Sequence, residues 1–188
     1  MPARDRNGAA PHEPARIGAG DGPIEIVEYD PAWPASYIAE RERLAPLLGG
    51  SQIHHIGSTA VPGLASKAVI DMIALVEDLD ANVAVLLRQA SYQLPASFNV
   101  DLVHRRFLCY PTVTYRTHHL HLVDKREDLD RCLRFRDSLR ANRKLAADYV
   151  ALKRALAARF REDRHGYTKA KSKFINSANA QAGVRAAS

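Results

Sequence analysis

The amino-acid sequence predicts an α+β fold, a small mixed β-sheet flanked by helices and followed by C-terminal helices. Two apolar, strand-like runs over residues 51–56 and 68–76 are joined by a turn-rich segment. Two further candidate strands, residues 105–110 and Tyr115–Val123, are separated by Pro111-Thr112, which predicts an antiparallel hairpin or a longer loop. From Glu127 onward the apolar residues change to a helical period.

The two ends of the chain differ in composition from its middle. Residues 1–23 hold four prolines, four glycines and a single large aliphatic residue, so they bury too little surface to offset chain entropy. We therefore predict a disordered tail over residues 1–23, one domain over residues 24–178 and a frayed tail over residues 179–188.

The first part of this domain alternates strands and helices. Residues 24–29 form a candidate strand, and Asp30-Pro31 then begins a helix that runs to Leu48, where Gly49-Gly50 stops it. Residues 81–90 predict a helix that crosses back to the sheet, and residues 91–94 predict another short strand. Residues 95–104 show no clear pattern.

The C-terminal part is helical. Apolar residues at spacings of three and four predict two amphipathic helices, one beginning near Glu127 and one whose apolar stripe ends at Phe160. A last helix is predicted over residues 168–178, with Phe174 and Ile175 facing inward.

Composition excludes several classes of protein. No run approaches 18 apolar residues and the N-terminus has no apolar signal region, so neither a membrane span nor secretion is predicted, and cytoplasm is the expected location. Cys109 and Cys132 lack metal-ligand spacing and are expected to be reduced, partly buried residues.

Basic residues are concentrated near the C-terminus. Residues 124–173 hold sixteen Lys and Arg against eight Asp and Glu, although the whole chain has a net charge of only +6. This region would attract an anionic ligand, but mixed-sign helices are also ordinary solvated faces. Nucleic acid is not an expected partner, because the sequence holds no RNA-binding signature with interleaved aromatic residues.

The turn-rich segment between the two central runs has the residues of a phosphate site. Backbone N–H groups at Gly57 and the hydroxyls of Ser58 and Thr59 can surround a phosphate. Asp71 is a lone carboxylate in an apolar strand, where an unpaired charge is unfavourable, and it can hold a divalent ion that accompanies the phosphate. The alternative is a purely structural Gly-Ser turn.

Two histidines lie side by side on a strand. Because side chains alternate along a strand, His119 and His121 share one face and His118 takes the other. With Asp71 from a neighbouring strand, His119 and His121 would form a His₂-carboxylate set for Mg²⁺ or Mn²⁺, or for Zn²⁺. Alternatively, the imidazoles form hydrogen bonds with the backbone or with a ligand phosphate.

A third candidate group lies on the helix that follows. Arg136 and Arg140 are one helical turn apart and can reach the same anion. They could equally form a salt-bridge cluster with Asp137 that fastens the helix to the sheet, with Asp137 pairing to Arg105 or Arg106.

Four motifs together resemble the GrpB-like family across about residues 24–178. They are HIGSTAVPGLASKAVID, the HLHL strand, FRDSLRANRKLAADYVALKRALA and YTKAKSKFI. The resemblance implies the nucleotidyltransferase fold, with Gly57 and Ser58 matching the Gly-Ser of that superfamily and Asp71 matching the first acid of its Asp-x-Asp/Glu pair. Lys67, Lys153 and Lys171 match lysines of the family and are expected to contact phosphate.

Position 73 departs from the superfamily pattern, because Ile73 stands where the second acid is expected. Two-metal transfer places acidic ligands on both ions, so this change puts ordinary nucleotidyl transfer in doubt. We therefore expect a nucleotidyltransferase-like protein that binds a nucleotide or another phosphorylated small molecule, with metal-dependent transfer as one outcome. The alternative is a catalytically inert nucleotide-binding or regulatory module.

Overall fold

The computed structural model describes residues 17–186, and side chains within residues 17–181. Its fold is the predicted α+β type, a five-stranded mixed sheet with helices on both faces. The sheet comprises the strands β1 (Ala19–Gly20), β2 (Ile53–Ile56), β3 (Ile70–Leu75), β4 (Arg105–Pro111) and β5 (Tyr115–Val123). The helices are α1 (Trp33–Leu44), α2 (Leu79–Gln89), α3 (Arg126–Ala141), α4 (Arg143–Phe160) and α5 (Arg164–Ala186).

The longest strand, β5, lies at the centre of the sheet. It pairs in parallel with β3 and antiparallel with β4, and β2 pairs antiparallel with the far edge of β3. The predicted hairpin of β4 and β5 is thus confirmed. The parallel register places Asp71 opposite His119 and Ile73 opposite His121, so the two neighbouring strands bring the predicted residues onto one face.

The opposite face of the sheet carries the main core. Alternation along β3 directs Ile70, Met72 and Ala74 into a cluster with Leu120 and Leu122 of β5. Helices α1 and α2 cover this face and supply Trp33, Leu44, Val83 and Leu86, all buried.

Local sequence signals account for the helix ends. The Asp78 side chain accepts hydrogen bonds from the N–H groups of Asp80 and Ala81 and so caps α2, while Asn142 caps α4 by accepting from Leu145. A short 3₁₀ helix, Ala45–Leu48, continues α1 and ends at Gly49, whose φ of 59° lies in the left-handed region that favours glycine.

Two predicted strands are wrong. Residues 24–29 form only one bridge, between Val27 and Ser66, because Ile24 and Ile26 pack against Leu156 and Tyr167 instead of joining the sheet. Residues 91–94 likewise form one bridge, from Gln93 to Cys109, and the positive φ of 55° at Ser91 prevents an extended strand.

The two predicted tails also differ from the structure. The disorder predicted for residues 1–16 lies outside the described residues, but Ala19 and Gly20 pair with β5, so residues 17–23 do not follow that prediction. Helix α5 begins before the predicted residue 168 and continues to Ala186, because its buried Ala178 packs with Phe135 and Tyr149.

Cys109 and Cys132 are free thiols; Cys132 is partly buried, as predicted for both, whereas Cys109 is fully buried. Within residues 17–186, we find no helix with a stretch long and apolar enough to cross a lipid bilayer.

Candidate functional site

A cavity of about 630 Å³ lies on the sheet face that carries Asp71, between this face and the helices α3, α4 and α5. This volume is within the usual range for small-molecule sites. The cavity forms here because the same face of β3 and β5 carries polar side chains, Asp71, His119 and His121, instead of the aliphatic residues that fill the opposite face.

The cavity lining is strongly basic. Asp71 is its only carboxylate among the described residues. The basic side chains that line it are Lys67, Arg105, Arg116, Arg131, Lys153, Arg164 and Lys171. Outside the lining, Asp128 pairs with Arg131, and Asp21 lies within 4.0 Å of Arg116 and Arg164. Among the described residues, positive charge is still in excess, and an anionic ligand can neutralise it.

Three lysines lie close to aromatic rings in the cavity. The Nζ atoms of Lys67 and Lys171 lie 5.5 and 4.4 Å from the centroid of the Tyr167 ring, and Lys153 Nζ lies 5.0 Å from that of Tyr149. Lys153 is 2% exposed and donates a hydrogen bond to the carbonyl oxygen of Ala65. Ring faces attract cations, but they replace little of the lost hydration.

Burial and mutual repulsion therefore change how these lysines titrate. Burial, followed by the charge of Lys171, lowers the pKa of Lys153 to about 7, and burial, followed by the charge of Lys67, lowers the pKa of Lys171 to about 8. Burial also lowers the pKa of Lys67, although the charge of Asp71 opposes this shift. The charge of Asp71 compensates the protonated lysines only in part, and a bound phosphate would supply further negative charge.

The loop after β2 approaches Asp71 closely at Gly57. A β-carbon built on Gly57 would lie 2.6 Å from Asp71 Oδ2, and the φ of 69° is one that other residues rarely adopt. Glycine is therefore needed here for two independent reasons. The adjacent Ser58 begins a 3₁₀ turn, Ser58–Ala60, and lines the cavity, so the structure brings the predicted Gly-Ser pair to Asp71.

Asp71 and His119 form a hydrogen-bonded pair, with 2.8 Å between Asp71 Oδ1 and His119 Nδ1. Burial alone would raise the pKa of Asp71, but the hydrogen bond from His119 and nearby positive charge hold it well below its ordinary value. Burial lowers the pKa of His119 despite this hydrogen bond. A neutral imidazole thus donates from Nδ1, which leaves the lone pair on its buried Nε2 without a partner among the described residues.

His121 has a different partner. Its Nδ1 accepts a hydrogen bond of 3.2 Å from Arg105 Nε, and burial, with the charge of Arg105, lowers its pKa well below the ordinary value. The described part of the chain holds no group of three or more His, Cys, Asp and Glu side chains arranged to hold a metal ion. The predicted set of Asp71, His119 and His121 therefore surrounds the cavity without forming a three-ligand centre.

The position of the missing second acid is apolar. Ile73 is fully buried and packs with Ile56, Val123 and Leu129 beneath α3. The sheet face that carries Asp71 therefore continues into an apolar cluster two residues farther along β3, and provides no second carboxylate there.

Three predicted phosphate contacts are not brought to the cavity. Thr59 is 1% exposed, and its hydroxyl lies 3.0 Å from His55 Nε2. Arg136 Nη1 donates to the carbonyl oxygen of His55, and Arg140 donates twice to that of Ala60, at 3.0 and 2.6 Å. The contacts of the two arginines match the alternative in which they attach α3 to the sheet.

Asp137 contacts the same two arginines, Arg136 and Arg140, and not the arginines predicted as its partners. It accepts two hydrogen bonds from Arg136, at 2.8 and 3.0 Å, and lies 3.5 Å from Arg140. Arg105 instead contacts His121, and Arg106 pairs with Asp80. The pairing of Asp137 with Arg105 or Arg106 was therefore wrong.

Several lining residues were missed from the sequence. Arg105 shares a face of β4 with Phe107, opposite His121, and strand alternation could have identified it. Arg164, Tyr167 and Lys171 follow a helical spacing of three and four, but the predicted helix began too late to include the first two. Arg116 has no such signal, because alternation along β5 assigns it to the face opposite His119.

Comparisons with known proteins agree with this fold. Residues 23–181 match the family model described as GrpB protein. The UPF0157 protein YqkA of Bacillus subtilis is 34% identical over 167 residues, and a UPF0157 protein of Pseudomonas aeruginosa is 39% identical over 164 residues. These alignments cover 85% and 84% of this chain, which spans only 47% and 66% of the respective relatives.

A solved structure extends the comparison to three dimensions. The crystal structure of conserved protein GrpB from Enterococcus faecalis superposes with a TM-score of 0.74 at 31% identity, covering 87% of this chain and 100% of the other. Because the family model matches most of the chain and the fold is shared at this level of identity, this chain belongs to the GrpB family.

Proposed function

We propose that the cavity binds a nucleotide or another phosphorylated small molecule. The observation that carries this proposal is the charge of the lining, where the described residues place seven basic side chains around the single carboxylate of Asp71. Phosphate groups carry up to two negative charges at neutral pH and several acceptor oxygens, which match a set of lysine and arginine donors. A volume of about 630 Å³ suits a small molecule better than an extended nucleic-acid strand.

The lysines Lys67, Lys153 and Lys171 support a phosphate position near Tyr167. Lys67 and Lys171 approach the same ring. The positive charges of both also lower the pKa of Lys153, so the three ammonium groups repel one another in this part of the cavity. A phosphate bound among them would stabilise the protonated form of each lysine, so binding should be accompanied by proton uptake above about pH 7.

A divalent metal fits this site only as a companion of the phosphate. Asp71 is the available carboxylate, and His119 Nε2 is a buried nitrogen without a partner among the described residues. Mg²⁺ is commonly held by one or two carboxylates together with substrate phosphates. We therefore propose Asp71, with His119 beside it, as the protein contribution to an Mg²⁺ or Mn²⁺ site, where the ion would neutralise phosphate charge.

A second candidate function is a catalytically inert binding or regulatory module. Ile73 favours this candidate, because the buried apolar cluster at this position provides no ligand for a second metal. Nucleotidyl transfer remains the other candidate, and it would depend on Asp71 as the catalytic carboxylate.

Calorimetric titration can test the binding proposal. At about pH 6.5, pyrophosphate and ATP should bind the wild type, and Lys171→Met should weaken both by about 10- to 100-fold through loss of a charged contact. Lys173→Met is the matched control, because Lys173 lies on the same helix but is exposed and outside the cavity lining. Equal weakening by both variants would place the anion elsewhere.

A separate assay distinguishes the two candidate functions. Nucleoside triphosphates with Mg²⁺ and a panel of acceptors should show binding without sustained release of pyrophosphate if the protein is a binding module. Many turnovers that disappear in Asp71→Asn would instead establish a transferase.

A further inference from the structure

Asn179 on α5 has an amide group that the fold leaves without hydrogen bonds. Both its Nδ2 and its Oδ1 are buried, and neither has a partner among the described residues. Asn179 also lines the cavity. Buried polar atoms are nearly always paired, so an amide with both its donor and its acceptor unpaired at a cavity wall suggests a missing partner.

The position of Asn179 along α5 relates it to the lysines. Lys171, Ile175 and Asn179 are successive residues at a spacing of four, so they lie on one helix face, and all three line the cavity. With a rise of 1.5 Å per residue, the backbone of Asn179 is about 12 Å from that of Lys171. A ligand that reaches both must be considerably longer than inorganic phosphate.

Apolar side chains line the same cavity as Asn179. Its neighbour Ala178 packs in one cluster with Phe135, which also lines the cavity. Ile175 lies between Asn179 and the lysine on the helix face. A cavity that combines apolar lining residues with an unpaired amide is typical of a site that orients a flat group through a few polar contacts.

We infer that Asn179 recognises the end of the ligand that lies away from the phosphate. An amide offers a donor and an acceptor side by side, so its complement is a group with the same pair, such as a carboxamide or the edge of a nucleobase. The ligand class is therefore a phosphorylated molecule with such a planar, donor-and-acceptor head group. This inference rests on the proposed function, because the lysines must hold the phosphate at the other end.

Binding of matched ligands tests the inference. AMP and nicotinamide mononucleotide carry different head groups of the required kind, whereas ribose 5-phosphate carries the same sugar phosphate without one. In the wild type, AMP and nicotinamide mononucleotide should each bind at least about tenfold more tightly than ribose 5-phosphate. Asn179→Ala should reduce this preference to less than about threefold while the affinity for ribose 5-phosphate stays the same.

Two further variants complete the experiment. Asn179→Asp keeps the shape of the side chain but removes its donor, so it should also lose the preference for AMP and nicotinamide mononucleotide. Its added charge acts on the phosphate of all three ligands, so the comparison with ribose 5-phosphate cancels that effect. Ser177→Ala is the control, because Ser177 is exposed on the same helix and does not line the cavity. Thermal melting of each variant verifies that it is folded.

The outcomes separate this inference from the proposed function. A wild type that binds ribose 5-phosphate as tightly as AMP and nicotinamide mononucleotide overturns the inference alone, as does a preference that survives in both Asn179 variants. A protein that binds none of the three phosphates, nor pyrophosphate, overturns the proposed function together with this inference.

Discussion

Replacement of Lys153 by methionine should change how the stability of the protein depends on pH. Lys153 is 2% exposed, and its ammonium group donates to the Ala65 carbonyl oxygen near the ring of Tyr149. Burial, together with the charges of Lys171 and Arg154, lowers its pKa from 10.5 to about 7. Methionine has a similar length and no charge, so Lys153→Met removes this titration with little change in packing.

The direction of the effect follows from where the proton is bound. Between about pH 7 and 10.5 the unfolded chain keeps the lysine proton and the folded chain has released it, so the free energy of unfolding rises with pH. For pKa values of 7 and 10.5, this rise amounts to about 2.5 kcal/mol between pH 6.5 and pH 9. The variant lacks this contribution.

Urea unfolding of wild type and Lys153→Met at several pH values measures the effect. The difference in unfolding free energy, wild type minus variant, should increase by about 2.5 kcal/mol between pH 6.5 and pH 9. Lys144→Met is the matched control, because Lys144 lies on the same helix with its side chain 83% exposed. If the difference in unfolding free energy for Lys153→Met changes with pH as little as that for Lys144→Met, the reasoning that burial leaves this lysine with too little compensating charge is refuted.

Three other substitutions test separate parts of the site. Gly57→Ala should destabilise the protein by about 1–3 kcal/mol more than Gly63→Ala in denaturant unfolding, since both glycines have positive φ but only Gly57 approaches Asp71. Equal losses of unfolding free energy would show that the contact with Asp71 is unimportant. Asp71→Asn should abolish the Mn²⁺-dependent part of the ATP-induced shift in melting temperature, and an unchanged shift would remove the metal from this residue. Arg140→Met should lower stability by about 1–2 kcal/mol through loss of its bonds to the Ala60 carbonyl, without weaker pyrophosphate binding; weaker binding would return Arg140 to the anion site.

Strand alternation made much of the site predictable. The sequence alone placed His119 and His121 on one face and marked Asp71 as a lone acid in an apolar strand, and the parallel register of β3 and β5 then places Asp71 opposite His119. Gly57 and Ser58 were predicted from the turn-rich segment, and the three lysines through the resemblance to the GrpB-like family; all five line the cavity.

Contacts between distant elements were not predictable in the same way. The spacing of Arg136 and Arg140 is compatible both with an anion and with backbone carbonyls, and only the packing of α3 on β2 and the following loop decides between them. Asn179 gave no sequence signal, because its unpaired amide becomes evident only when α5 extends past the predicted end of the helix.

A crystal structure of the protein soaked with ATP and Mn²⁺ would test the central claim most directly. The account predicts phosphate density beside Lys67 and Lys171, with any Mn²⁺ anomalous signal next to Asp71 and close to Gly57 and Ser58. Phosphate density that lies outside this cavity, at full occupancy and with the cavity empty, would contradict the claim that its basic lining forms the binding site.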